Sequence, residues 1–425
     1  MWQIIVKVWK QRDLRNKVLY VLGLLTIFRF AAHIPIPGVD ITGLRAFFNS
    51  NAYLGILNVF SGGALENFSI VMLGVGPYIT ASIIFQLLTM IVPKLEEMQK
   101  ETDGHRKIQQ WTRYLTVPLA AIQGYATITL LQRTGQGVLG EIGPWQLITA
   151  IALITGGSVF MMWLGELITE KNIGNGISIV IFAGIVARIP TSLQQVFATY
   201  ESSQLFTVLV YVVLTLLVIF AVVYITEGQR NIPIATARPA AGGRGGNIPA
   251  THLPIRINQA GVIPIIFAIS LVLFPPIIGQ YLTTTRYLWL VDVGQFIQNA
   301  FNNQLIYGLI YFVLVFAFSY FYTSVVFKPD QIAENLQKRG AFIPGIRPGK
   351  PTSEYLQYVS NHLLLTGAVF LGLIAVLPVI LQAFASGTST ALIVGGTSLL
   401  IVVSVALETV QQVQAQLQVR DYEQF

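Results

Sequence analysis

The chain has 425 residues, 54% of them hydrophobic and only 11% charged, with no cysteine and a formal net charge of +7. Soluble domains carry about 25% charged residues, so this chain cannot clothe itself in a water-compatible surface. The missing cysteine excludes disulfides, thiolate metal sites and cysteine nucleophiles. What remains is a polytopic α-helical membrane protein whose basic balance reads as cytoplasmic loops facing anionic lipid and partners.

A basic start (Lys7, Lys10, Arg12, Arg15, Lys17) leads into a first apolar run at 18–34. It resembles a signal peptide, but no small-residue cleavage site follows and it runs into HIPIPG, so it reads as a retained span. Next comes GILNVFSGGALENFSI, 55–70, which begins like an amphipathic helix and breaks at Ser61-Gly62-Gly63. Crossing a bilayer takes roughly 20 apolar residues, so this piece is either a surface helix or a re-entrant one. Further spans follow at 71–92, 112–132, 146–168, 176–190, 206–226, 259–280, 305–327, 362–383 and 391–408. The fifth is short and opens on the glycine-rich GNG.

Charge orients these ten spans. With the N-terminus inside, most of the 26 basic residues share its side; Arg45, Arg133, Arg188 and Arg286 fall outside, and Arg29 lies within the first span. That bias places both termini in the cytoplasm. Ten spans split into two sets of five, 1–190 and 191–425, and two such halves would be inverted repeats around a midplane site. Two long loops, 227–258 and 328–361, are both cytoplasmic and basic. They are either docking surfaces or orientation signals alone.

Chemistry is sparse at membrane depth. Glu166 and Glu170 lie near the end of the fourth span and Glu408 ends the tenth, with no paired carboxylates between. His33, His105, His252 and His362 lack metal-ligand spacing, and no HExxH, GxSxG or P-loop pattern occurs. No catalysis, cofactor or metal is expected. What recurs is glycine and uncharged polar residues at span openings: GVGPYITASIIFQLL, KNIGNGISIVIF and INQAGVIPIIFAISLVLFPP. Bare backbone at depth is tolerated against protein or a water-filled cavity. These openings therefore mark a wet cavity or close helix packing.

Several stretches, in order along the chain, carry a resemblance: FRFAAHIPIPGVD, NVFSGGAL, GPYITASI, RKIQQWTRY, MWLGELITEKNIGNGISIVIFAGIV, THLPIRINQAGVIPIIFA, AFIPGIRPGKPT and GGTSLLIVV. The chain resembles the SecY family, central subunits of bacterial protein-conducting channels, from its first span to its last. The resemblance implies two inverted five-helix halves around an hourglass pore, with a side opening to lipid between the second and seventh spans. It implies a plug at 55–65, including Leu57, Val59, Phe60, Gly62 and Gly63. An aliphatic pore ring falls on Val75, Ile79, Ile177, Ile181, Ile266 and Ile401, of which Val75/Ile79 and Ile177/Ile181 are i,i+4 pairs on one helix face. An apolar ring seals by dewetting. The lateral gate falls on Thr80, Gln86, Asn175, Asn258 and Phe274, and partner docking on Arg347, Arg238, Arg244 and Arg256.

The implied function is passage of unfolded secretory polypeptide across the bacterial plasma membrane and lateral release of transmembrane segments into lipid. The implied partners are SecE, SecG, the SecA motor ATPase, the ribosome, signal sequences, nascent chains and membrane lipids. Two loops depart from the family pattern, EMQKETDGHRKI and ATARPAAGGRGGNIPATHLP. A small-solute transporter would need deep ionisable groups, and an intramembrane enzyme a dyad or metal motif; both are the rival classes.

Overall fold

The computed structural model describes residues 2–37, 63–134, 143–198, 205–236, 251–272, 274–283, 285, 287–384 and 396–423. Helices α1 (Trp2–Lys10) and α2 (Arg12–Ala31) open the chain. They are followed by α3 (Gly76–Ile91), α4 (Pro93–Lys100), α5 (Thr102–Thr134), α6 (Pro144–Glu170), α7 (Gly176–Ala198) and α8 (Leu205–Glu227). Strands β1 (Gln229–Thr236) and β2 (Thr251–Arg256) come next, then α9 (Ile263–Val272), α10 (Phe274–Thr283), α11 (Leu288–Asn302) and α12 (Gln304–Val326). Helix α13 (Pro329–Lys338), strand β3 (Ala341–Phe342), α14 (Lys350–Phe384) and α15 (Gly396–Glu423) complete the order.

Each predicted span has a helix. By length and apolarity alone, 5 helices among the described residues qualify to cross a membrane, or 6 if α3 and α4 count as one span bent by 110°. The others fall short for physical reasons. Helix α2 carries Arg12, Asp13, Arg15, Lys17 and Arg29. The apolar parts of α7 and α9 are short because their glycine-rich openings are turns, with positive φ at Asn172 and Gly261. Two helices outrun their predicted spans: α14 begins at Lys350, inside the segment read as loop, and α15 continues to Glu423.

Helix starts follow local chemistry. Pro144 opens α6 while Gln146 reaches back to the Gly143 N–H at 3.2 Å. The Asn303 side chain caps α12 by accepting from the Leu305 N–H at 3.0 Å. Both devices satisfy donors that a helix leaves orphaned.

One apolar core runs through α2, α3, α6, α7, α8, α9, α12, α14 and α15. A second cluster joins Ile36, Leu65, Phe68, Met72, Ile128 and Ile154. Small residues let backbones meet in this core, as membrane helices require. A Cβ on Gly157 would lie 1.9 Å from the Ile70 carbonyl oxygen, and one on Gly176 1.8 Å from that of Gly165. Apolar faces point outward elsewhere, as at Leu209, Val213, Leu216 and Phe220 of α8.

The two long loops form a small three-stranded sheet, ordered β2-β1-β3 and antiparallel throughout. Ile232, Ile255 and Ile343 bury one face of it against Leu356 and Val359 of α14.

Candidate functional site

A cavity of ≈ 410 Å³ opens among α3, α5, α6, α7, α9 and α12. Its apolar wall includes Ile79, Ile177, Ile263, Ile266 and Phe267. Its polar wall includes Ser82, Gln86, Gln109, Arg113, Glu166, Thr169, Glu170, Asn175 and Ser178. Arg113 Nε donates to Glu166 Oε1 at 2.7 Å, stitching α5 to α6 on that wall. The pair went unrecognised in the sequence, where Arg113 reads only as an orientation charge. The span-end position of Glu166 was the available signal.

Of the residues assigned to the ring, Val75, Ile79, Ile181, Ile266 and Ile401 are buried members of the single main core, and Ile177 packs against it. Ile79, Ile177 and Ile266, from three different helices, face the cavity together. The tight α6–α7 corner positions Ile177: the Gly176 N–H donates to Thr169 Oγ1 at 2.9 Å, and the Ser178 N–H to Asn175 Oδ1 at 3.3 Å.

The residues assigned to the gate lie on both sides of the α3–α9 contact. Gln86 and Asn175 line the cavity. Asn175 is also the N-terminal cap of α7, a role its position just before GISI could have announced. Thr80 Oγ1 donates to the Gly76 carbonyl at 3.1 Å and receives Gln123 Nε2 from α5 at 3.5 Å. Gln86 Nε2 donates to Ser82 Oγ at 3.3 Å, and its Oε1 is buried with no hydrogen-bond partner among the described residues. Asn258 is buried and donates to the Gly261 carbonyl at 3.3 Å. Phe274 is half-buried at the first turn of α10. Among the described residues, the side-chain hydrogen bonds of Thr80, Gln86, Asn175 and Asn258 do not cross between α3 and α9.

Of the plug residues, Leu57, Val59, Phe60 and Gly62 lie outside the described residues, and Gly63 begins the described turn at φ +83°. Three residues on, Glu66 accepts from Arg188 Nη2 at 3.3 Å. Arg188, counted in the sequence with the outside charges and near the end of the predicted span 176–190, lies within α7. Of the docking residues, Arg238 and Arg244 lie outside the described residues, Arg256 is exposed at the end of β2, and Arg347 is exposed between Gly345 and Gly349, both at positive φ. The Arg347 carbonyl accepts from Thr352 Oγ1 at 2.8 Å, which ties that turn to the start of α14.

The SecY family model matches residues 69–410 of the chain, well over half of it. The chain belongs to the SecY family. Relatives within the family include the protein translocase subunit SecY of Corynebacterium glutamicum, 41% identical over 99% of this chain and 98% of that protein. That of Streptomyces griseus is 40% identical over the full length of both. A solved structure described as a protein conducting channel superposes with TM-score 0.65 at 18% identity, covering 94% of this chain and 91% of that one. Sec61 in a canine ribosome-channel complex superposes with TM-score 0.61 at 16% identity, over 94% and 91%. At these identities the solved structures share the fold. SecY-family membership, with the apolar helices, makes the chain a multi-pass membrane protein.

Proposed function

We propose that the chain is the pore-forming subunit of a protein translocase, passing unfolded secretory polypeptide across the membrane and releasing apolar segments sideways into lipid. The observation that carries this reading is the cavity: Ile79, Ile177 and Ile266, from three separate helices, share its lining with uncharged and charged polar groups. With Val75, Ile181 and Ile401 these form an aliphatic ring that seals a pore by dewetting and gives a passing chain no fixed hydrogen bond. The plug, 55–65, closes the pore from outside. The α3–α9 contact is the lateral gate, with Thr80, Gln86, Asn175, Asn258 and Phe274 along it. Contacts that stay within one side of a seam leave it cheap to part, since polar contacts between membrane helices are worth about 0.6 kcal/mol on average.

The halves 1–190 and 191–425 are the two jaws, and both termini lie in the cytoplasm of a bacterial plasma membrane. In this reading the chain is a passive conduit. SecA or the ribosome, docking at Arg347, Arg238, Arg244 and Arg256, supplies the driving force, while SecE and SecG complete the assembly. The solved Sec61 relative is a ribosome-channel complex, which supports the ribosomal part of this reading.

The test uses the absence of cysteine. Single cysteines at Ile79, Ile181 and Ile401, with lipid-facing controls at Leu216 and Phe220, are combined with a secretory precursor arrested midway and carrying one cysteine. Disulfides at the three ring positions and not at the controls are expected. Continued translocation with no ring crosslink would move the path elsewhere.

A further inference from the structure

Helix α11 has 15 residues, too few to span a bilayer, and two of its faces stay open among the described residues. Its residues sort into three stripes by helical spacing. One stripe packs inward: Gly294 is buried, and a Cβ there would lie 2.6 Å from the Gly279 carbonyl oxygen of α10. A second stripe is apolar and open, with Trp289 66% exposed, Val293 43% and Phe296 74% at i, i+4 and i+7. The third is open and, beyond Leu288 at its head, polar, with Asp292, Gln295 and Asn299 at i, i+3 and i+7. A helix with separate protein-facing, apolar and polar stripes suits the boundary of three media.

What covers the apolar stripe follows from its continuation. Helix α12 starts two residues beyond α11 and is long and apolar enough to span. Leu305, Leu309 and Val313 on it point away from the protein, toward the acyl chains of a multi-pass protein. Tyr287 and Trp289 sit at the other end of α11, both exposed; aromatic rings with polar tips collect at the membrane–water interface. Asp292 is the sole charge between 288 and 302, so attraction to anionic headgroups is not the driving force.

We propose that α11 is an interfacial anchor, lying in the headgroup layer with Trp289, Val293 and Phe296 in the acyl boundary and Asp292, Gln295 and Asn299 in water. The glycine contact between α10 and α11 holds the two as one unit, so the lipid surface fixes the depth of α10, the continuation of α9. The seventh span, which carries Ile266, is thereby moored to the bilayer at one end.

The experiment places a single cysteine at Phe296 or at Asn299 of the full chain, reconstituted with its partner subunits in zwitterionic lipid vesicles and labelled with a small fluorophore. Both side chains are exposed, so neither change disturbs packing. Lipids brominated near the glycerol end of their chains are expected to quench the Phe296→Cys label severalfold more than lipids brominated at the chain ends. Aqueous iodide is expected to quench the Asn299→Cys label severalfold more than the Phe296→Cys label, at low and high salt alike. Equal iodide quenching at both positions would put the stripe in water and overturn the proposal. Quenching of the Phe296→Cys label by neither agent would mean a protein covers it, and strongest quenching by chain-end bromine would bury it in the core; either result also overturns it.

Discussion

Gly156 and Gly157 are neighbours in α6 with opposite surroundings. A Cβ on Gly156 meets nothing within 4 Å, whereas one on Gly157 would lie 1.9 Å from the Ile70 carbonyl oxygen, far inside the 3.4 Å of ordinary contact. Segment 69–75 has little slack to yield. The Ile70 N–H donates to the Ile34 carbonyl at 3.1 Å, the Ser69 N–H to the Ala64 carbonyl at 2.9 Å, and Ser69, Val71 and Met72 are wholly buried. Replacing either glycine by alanine gives the same gain in helix propensity, about 1 kcal/mol, so that gain cancels between the two variants. What is left is the overpacking penalty at Gly157, roughly 1–3 kcal/mol, or about 5- to 150-fold in the unfolding equilibrium. Denaturant titration of the purified chain with its partner subunits measures the difference directly. Gly157→Ala should unfold well before Gly156→Ala, and because the displaced segment carries Val75, it should also raise ion leak through reconstituted vesicles. Coincident unfolding curves would refute the close α6–turn approach and every inference drawn from it.

The Arg113–Glu166 pair bridges α5 and α6 but is partly solvated, with side chains 45% and 23% exposed. A double-mutant cycle with alanines should return a coupling of about 0.5–1 kcal/mol that shrinks with added salt; a salt-independent coupling would contradict the exposure. Glu66 and Arg188 are more enclosed, and Arg188 Nη1 is buried with no hydrogen-bond partner among the described residues. Glu66→Gln should speed amide exchange over 63–72 by roughly 5- to 30-fold, a loss of about 1–2 kcal/mol between the exposed and buried limits. Glu334→Gln, in an exposed pair with Lys338, should leave that exchange unchanged, and equal effects would sink the assignment. Ile401 is fully buried, and Ile401→Ser should wet the ring and raise chloride leak; an unchanged leak would take this residue out of the seal.

The spans were legible because a bilayer imposes one strong demand, an apolar run of sufficient length. The ring residues stood at i,i+4 spacing in two helices, but apolar residues fill every span, and only the family resemblance singled these out. The sheet was not read. QRNIPIAT and THLPIR do alternate, with Ile232 and Ile234 buried in β1 and Ile255 in β2. Pro233 and Pro254 argue against strands, and their polar setting reads as loop. Asn175 both caps α7 and lines the cavity, and only the cap has a local signature, its place just before GISI. The ion pairs Arg113–Glu166 and Glu66–Arg188 join residues 53 and 122 positions apart, a separation that no local pattern reports.

Strand β1 is shared property. Along most of its length it pairs with β2, from its own loop; at Ala235 and Thr236 it pairs with Phe342 and Ala341 of β3, from the other. Just past β2, the Ile257 N–H donates to the Gly228 carbonyl at 2.9 Å, and a Cβ on Gly367 of α14 would come within 2.8 Å of the Ile257 oxygen. Among the described residues the two loops are thus joined through β1, and the joint lies at the root of α9. One strand ties both loops to the residues, Asn258 and Gly261, that lead into the seventh span.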